Sequence, residues 1–429
     1  FSEALQAEIR VAAVDLLMSA SGDIAIPCPD NDLMVEMMST CLSEAVPPEY
    51  APMMCEQMGF VASAETEKPP FKVPSGDTRP VVIVGAGASG IALGFRLKQL
   101  GVPFVIIERN DEVGGTWYEN VYPGCAVDTP NHAYSFSFGQ RYPWSRNFSQ
   151  RAEIQDYLEG LTDELELRAR IRFATTLTKA AWDDDANCWR VTLSTQAGEE
   201  QLDARAVVSA IGQLSQVSMP ELNGASDYKG ARFHTARWPA DLDLADKNVA
   251  IIGTGASAMQ IVPEIADRVA SLTIYQRSAQ WVRPIPRYQD AIPGGAKWLL
   301  KHLPLYASWY RFTMLWRYGD GLLPSLRIDP DWPHPERSLN RANDRHREDM
   351  TRHMEQELAG RPDLIEKCLP SYPPYGKRIL LDNSWFKTLL GENVSLVTQG
   401  IDCLDETGIR ATDGQHRAAD VIVYSTGFK

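Results

Sequence analysis

Two glycine-rich segments have the residue types and spacing to hold dinucleotides. Gly85-Ala86-Gly87-Ala88-Ser89-Gly90 follows the apolar run Val81–Val84, and Gly253-Thr254-Gly255-Ala256-Ser257-Ala258 follows Val249–Ile252. In such a strand–turn–helix, glycines let the backbone approach a pyrophosphate at a helix N-terminus. Glu108 ends the strand after the first loop, where an acid bonds a ribose hydroxyl. Gln276-Arg277-Ser278 holds the comparable place after the second loop, where a cation suits a 2′-phosphate. Together they predict an FAD site (Gly85, Gly87, Gly90, Glu108) and an NADPH site (Gly253, Thr254, Gly255, Ala256, Ser257, Arg277, Ser278).

Between the loops runs Gly114-Gly115-Thr116-Trp117-Tyr118-Glu119-Asn120-Val121-Tyr122-Pro123-Gly124-Cys125-Ala126-Val127-Asp128. Gly115 and Thr116 would admit a flat cofactor to the backbone, and Trp117 would shape its pocket. A packed surface loop with an aromatic anchor is the other reading. His234 titrates near neutrality and invites a general-base role, but its spacing to Trp238 also suits plain packing. Arg378, beside Lys377, reads on its own as a surface cation.

These residues need elements to position them. From Pro80 the pattern runs strand, helix, strand (81–84, 91–100, 105–108), and a second such unit spans about 247–277. Residues 171–211 read as antiparallel, with Trp189–Thr195 alternating and Ala206–Ala210 a buried strand. Trp298–Trp316 and Asn340–Leu358 read as helices of an insertion. Sheet sequence returns at Lys377–Leu381 and Val394–Val397. Ahead of all this, Ala4–Leu17 and Leu33–Leu42 have helical spacing, the second capped by Asp30, Asn31 or Asp32. The Met-rich stripe of the second helix reads as core, with a pliable partner surface as the alternative. Glu65–Asp77 reads as a linker.

The expected class is therefore α/β. Two Rossmann-like dinucleotide-binding domains, for FAD and NADP, carry a helical insertion and an N-terminal helical extension. The boundaries are 1–75 for the extension, 76–222 for the first part of the FAD domain and 223–288 for the first part of the NADP domain. The insertion takes 289–372, and 373–429 completes the NADP domain and leads back to the FAD domain. Because the chain starts at Phe1 and stops just after the apolar run Val421–Tyr424, a longer protein is expected, with the rest of the FAD domain beyond Lys429.

The 429 residues carry 42 basic and 56 acidic side chains, a net charge of −14, which argues against nucleic acid as a partner. Without an apolar run of about 18 residues, no membrane span is expected. The seven cysteines are scattered, with no close pair and no metal-ligand spacing. Reduced, buried thiols in a cytoplasmic protein are expected, and no metal site.

Residues 114–128 match the long fingerprint of the Baeyer–Villiger monooxygenases, [AG]GxWxxxx[FY]P[GM]xxxD, at every fixed position. Tyr228-Lys229-Gly230-Ala231-Arg232-Phe233-His234-Thr235-Ala236-Arg237-Trp238-Pro239 matches the shorter FxGxxxHxxxW[PD], with Tyr228 for phenylalanine. Gly212-Gln213-Leu214-Ser215, Tyr375-Gly376-Lys377-Arg378 and Ser425-Thr426-Gly427-Phe428 extend the resemblance over residues 80–429. With the N-terminal extension and Gly376–Trp385, the chain resembles most the members of that family acting on 4-hydroxyacetophenone.

The resemblance implies an NADPH- and O₂-using flavoenzyme that turns ketones, aryl ketones in particular, into esters or lactones. The implied route passes through a C4a-peroxyflavin and a Criegee adduct. It implies Arg378 as the catalytic arginine and Asp128 as the carboxylate that pairs with it. Lys377 and Gln213 would contact NADP, and Tyr134 the flavin pocket. For His234 it implies a structural or coupling role at the domain junction. The extension could mediate a homodimer.

Two rival readings stand beside this one. A flavin-containing monooxygenase oxidising N or S centres would share both loops but lack the long fingerprint. A disulfide reductase would need a redox-active cysteine pair.

Overall fold

Asp30 caps a helix by accepting the Leu33 N–H at 2.8 Å, and that helix organises the N-terminal unit, Phe1–Lys68. In this computed structural model, residues 2–19, 26–60, 78–286, 288–303 and 305–429 are described, and the linker read at Glu65–Asp77 lies outside them. Both helices expected here form, as α1 (Glu3–Ser19) and α2 (Asn31–Leu42); a third, α3 (Ala51–Gln57), follows them. Met34, Met38, Met54 and Met58 are buried, so the methionine stripe packs as core, while Met37 stays outside. Helix α1 differs: none of its residues is buried, and Leu16 and Met18 are 72% and 81% exposed.

The second unit, Pro69–Lys429, contains both glycine loops. Strand β1 (Val81–Val84) leads through the first loop into helix α4 (Ala88–Gln99) and returns in β2 (Phe104–Ile107). Short helices α5 (Thr116–Glu119) and α6 (Asn131–Tyr134) follow, then α7 (Arg151–Glu164) and β3 (Ile171–Arg172). The antiparallel meander β4 (Thr176–Asp183), β5 (Cys188–Thr195) and β6 (Gly198–Ala204) precedes β7 (Ala206–Ser209). The first sheet is parallel, in the order β3-β2-β1-β7, with Val81 opposite both Phe104 and Ala206. Strand β7 was expected to be buried but is only partly so. It sits at the sheet edge, and the meander covers one face, where Val191 and Leu193 pack with Val82 and Ile107.

The second sheet, β13-β10-β9-β17-β8, is also parallel and draws on distant segments. They are β8 (Ala231–His234), β9 (Asn248–Ile252), β10 (Ser271–Tyr275), β13 (Val394–Val397) and β17 (Val421–Tyr424). Helix α8 (Ala256–Ile265) follows the second loop and buries Ile261, Val262 and Ile265 against this sheet. Strand β17 is central, with Val421 opposite both Ala231 and Val249. Sheet-covering strands β14 (Ile401–Asp405), β15 (Gly408–Ala411) and β16 (His416–Ala418) form a second antiparallel meander.

Between these parts the chain leaves the second sheet through β11 (Val282–Arg283) and returns through β12 (Leu380–Leu381), which pair in parallel. The single helix expected over Trp298–Trp316 is two, α9 (Gly294–His302) and α10 (Tyr306–Tyr318), with Leu305 at φ +62° before the second. Helices α11 (Leu323–Leu326), α12 (Arg341–Glu357) and α13 (Pro362–Cys368) complete the insertion, and α14 (Trp385–Thr388) follows β12. Of the expected strand Lys377–Leu381, only the last two residues pair.

The cysteines depart from expectation. Cys28 and Cys41 are exposed and Cys403 half-buried, so not all are core thiols. Cys28 also lies beside Cys55, a neighbour their spacing in sequence hides; burial first, and then Cys28, pushes the Cys55 thiol up. Among the described residues, no group of three His, Cys, Asp or Glu side chains could hold a metal ion. Nor is any helix there long and apolar enough to cross a membrane.

Candidate active site

The two glycine loops are built alike. Gly85 and Gly253 have φ of +108° and +111°, and the cap residues Gly87 and Gly255 have φ/ψ of −77°/−170° and −76°/−171°. A Cβ on Gly85 would lie 2.6 Å from the Ala210 carbonyl oxygen, and one on Gly253 would lie 2.3 Å from that of Ser425. In both places only glycine combines this turn with this approach to the neighbouring strand. The geometry suits two dinucleotides, each with its pyrophosphate at a helix N-terminus.

Glu108 is 4% exposed at the end of β2. Its carboxylate accepts the Ala86 N–H at 2.7 Å and the Asn110 N–H at 2.9 Å. One side chain thus holds the first loop to the strand end, and each oxygen keeps a further lone pair for a ribose hydroxyl. Arg277 is exposed at the end of β10 and makes no ion pair among the described residues. Thr254 Oγ1 donates to the Ser278 carbonyl at 3.2 Å, which joins the second loop to that strand end.

The 114–128 segment is anchored throughout. Gly115 approaches the first loop, where a Cβ would stand 3.1 Å from Gly87 Cα. Trp117 Nε1 donates to the Tyr134 hydroxyl at 2.6 Å, and the rings meet edge to face at 5.8 Å. Arg151, which sequence reasoning missed, donates to the carbonyls of Trp117 and Tyr118 at 2.6 and 3.1 Å. Glu119, also missed, accepts from Arg109 at 2.5 Å and from Arg237 of the second fingerprint at 3.3 Å. Burial opposes the charged form of Glu119, but hydrogen bonds from Arg109 and Asn110 outweigh it and hold its carboxyl low.

Asp128 and Arg378, 250 residues apart, meet in a two-bond fork: Nε to Oδ2 at 2.9 Å and Nη2 to Oδ1 at 2.5 Å. The bond pattern leaves Arg378 Nη1 outside the fork. Tyr134 and Tyr288 stand near Asp128; burial, and then the Asp128 charge, pushes both hydroxyls up, Tyr288 to about 12. Cys125 is pushed up to about 11 by burial, so its thiol stays protonated at neutral pH. Lys377 Nζ donates to Ser278 Oγ at 2.6 Å and lies 4.8 Å from the Tyr372 ring centroid. Gln213 is exposed beyond the end of β7 and makes no side-chain hydrogen bond among the described residues.

His234 is 2% exposed. Its Nε2–H donates to the Gly427 carbonyl at 2.9 Å, and its Nδ1 accepts the Ala236 N–H at 3.1 Å. Both nitrogens are committed in the neutral form, and burial lowers its pKa further. This geometry ties β8 to the segment after β17 and leaves no lone pair for base chemistry. Trp238 packs on Phe233 rather than on His234, whose ring meets Phe428 instead. The i, i+4 reading fails because β8 ends at His234 and a tight turn follows. The Tyr228 hydroxyl donates to the Ala419 carbonyl at 3.0 Å, so the departure from phenylalanine adds a satisfied bond. His353, given no role from sequence, pairs with Asp382 at 2.6 Å and ties α12 to the stretch after Arg378.

A family profile described as pyridine nucleotide-disulphide oxidoreductase matches residues 82–301. Only Cys125 and Cys188 lie in that stretch, and both are free thiols. The chain is 40% identical to the uncharacterized monooxygenase y4iD of Sinorhizobium fredii over 99% of its own length and 64% of that protein's. It is 38% identical to a Baeyer–Villiger monooxygenase of Streptomyces coelicolor over 81% of this chain and 64% of the relative. The chain thus spans under two thirds of the length of these curated relatives. Among solved structures, OTEMO in complex with FAD and NADP matches with a TM-score of 0.67 and 27% identity, over 83% of this chain and 72% of that one.

Proposed function

The chain belongs to the pyridine nucleotide-disulphide oxidoreductase family, and, from its likeness to Baeyer–Villiger monooxygenases, we propose that the protein oxygenates ketones to esters or lactones. FAD would sit at Gly85–Gly90, with Glu108 on its ribose and Gly115, Thr116, Trp117 and Tyr134 beside it. NADPH would sit at Gly253–Ser257, with Arg277, Ser278 and Lys377 on its 2′-phosphate and Gln213 on its nicotinamide side. When bound, these groups supply the reducing equivalents and activate dioxygen.

The Asp128–Arg378 fork is the observation that carries this reading. Oxygen insertion into a ketone builds negative charge on the former carbonyl oxygen. A guanidinium cannot give up its proton at neutral pH, so it stabilises that charge without being consumed. Asp128 fixes the plane of the guanidinium through two nitrogens, and Nη1 remains for the developing oxyanion. Lys377, one residue earlier, is held on Ser278, so adjacent side chains serve the two dinucleotide domains. His234 and Tyr228 act only as ties between strands.

Aryl ketones are the proposed substrate class, supported by the resemblance of Gly376–Trp385 and of the N-terminal extension to members of the family acting on such ketones. The extension is also the proposed dimer contact, supported by the uncovered apolar side chains of α1. The cytoplasm is the proposed compartment.

The test is product analysis. Full-length protein is mixed with FAD, NADPH, O₂, a panel of aryl, cyclic and linear ketones, and a thioether. Ester from at least one ketone is expected. Sulfoxide without any ester would transfer the protein to the N- or S-oxidising monooxygenases.

A further inference from the structure

Tyr122, in the 114–128 segment, and Gln260, on helix α8, share a buried hydrogen bond. The Tyr122 hydroxyl donates to Gln260 Oε1 at 3.0 Å and accepts from Ser257 Oγ, in the second glycine loop, at 3.3 Å. Gln260 Nε2 donates to the Ala126 carbonyl at 2.9 Å. Gln260 is 8% exposed and Tyr122 9%. Gly124 completes the contact: at φ +75°, a Cβ there would lie 2.4 Å from the Gln260 carbonyl oxygen. Only a glycine lets this loop lie so close along helix α8.

Each end of this contact reaches a functional group. Helix α8 begins at the second glycine loop, and Ser257 lies in its first turn. Ala126 is two residues before Asp128, which holds Arg378. The amide of a single glutamine therefore joins the helix that would carry NADP to the segment that positions the arginine. A polar side chain on the otherwise apolar inner face of α8 needs such partners, since an unpaired buried amide costs about 1–3 kcal/mol.

We propose that Gln260 is a positioning residue that locks Tyr122–Asp128 to helix α8, so that filling the second loop also steadies Asp128 and, through it, Arg378. This rests on the reading that NADP occupies the second loop.

The test is amide hydrogen exchange of the full-length protein with and without NADP⁺, alongside calorimetric NADP⁺ affinity. In the wild type, NADP⁺ is expected to slow exchange in both 250–262 and 119–129. In Gln260→Ala, protection of 250–262 persists with nearly unchanged affinity. The effect on 119–129 falls about tenfold, as expected when a buried hydrogen bond is lost. Ester formed per NADPH consumed falls with it, while KM for NADPH holds. Tyr122→Phe keeps the ring volume and the Gln260–Ala126 bond but loses the hydroxyl bonds to Ser257 and Gln260, so a smaller fall in the same direction is expected should the alanine variant fold poorly.

Undiminished protection of 119–129 in either folded variant overturns the proposal. So does a wild type in which NADP⁺ protects 250–262 alone. If NADP⁺ protects neither segment, the nucleotide assignment itself falls, and the proposal with it.

Discussion

Lys377 and Arg378 are neighbours in sequence, yet their side chains end on segments far apart in the chain. Lys377 Nζ stands 2.6 Å from Ser278 Oγ just beyond a second-sheet strand, and Arg378 grips Asp128 at the end of the 114–128 segment. Two consecutive residues thus bridge residues 128 and 278, just before the short strand β12, which pairs with β11.

Removing the guanidinium should separate two half-reactions. In Arg378→Ala, NADPH still reduces the flavin at close to the wild-type rate, while ester formation falls by roughly a hundredfold or more. Stopped-flow flavin absorbance reads the first and product chromatography the second. Asp128→Asn should fall in the same direction by a smaller factor, since one acceptor remains. Ester at a normal rate from Arg378→Ala would remove the arginine from the mechanism.

Arg277 should discriminate between nicotinamide cofactors. A bidentate cation on a 2′-phosphate favours NADPH alone, so Arg277→Ala raises its Kd by about tenfold and leaves NADH unchanged. Titration of each cofactor checks this; equal losses would end the 2′-phosphate argument.

His132 gives stability a pH dependence. Burial, and then the neighbouring Arg311, lowers its pKa to about 4. The unfolded chain binds this proton near pH 6.5, and the folded chain does not until about pH 4. Stability is therefore full above about 6.5 and is lost as pH falls toward the folded value, by on the order of 3 kcal/mol for this group. Urea midpoints at pH 7 and pH 5 should differ less in His132→Gln than in the wild type. An identical difference would mean that the proton is taken up elsewhere.

Helix α1 should govern assembly. Placing charge on its uncovered apolar residues, as in Ile9→Glu with Leu16→Glu, is expected to convert a dimer into a monomer by light scattering. A dimer that survives both changes rules out this contact.

Much of the scaffold is legible from short-range pattern. Apolar runs ending in glycine gave both βαβ units, and Val394–Val397 and Val421–Tyr424 stand where β-rich sequence put them. The site is legible only in part, because its contacts are long-range. Nothing in the spacing of Asp128 and Arg378 pairs them across 250 residues; only family resemblance pointed there. Gln260 left one faint signal, a lone amide among the apolar residues of α8. His234 and Trp238 misled because i, i+4 spacing implies contact only on an α-helix, and here a strand ends at His234 and a single 3-10 turn follows. Cys28 and Cys55 met through a fold that neither position announces.

The placement of β17 has a consequence for how the molecule is made. Residues 421–424 lie between β9 and β8, so the second sheet closes only when a strand far along the chain slides between two made well before it. Pairings of such high contact order fold slowly, and until they form, the edges of β8 and β9 stay open to other chains. During translation β1, β2, β3 and β7 have all emerged by Ser209 and can pair early, whereas the second sheet waits for more than two hundred further residues. Slow translation between the codons for Ile252 and Val421 should therefore favour aggregation, and chaperone dependence should track the emergence of Val421.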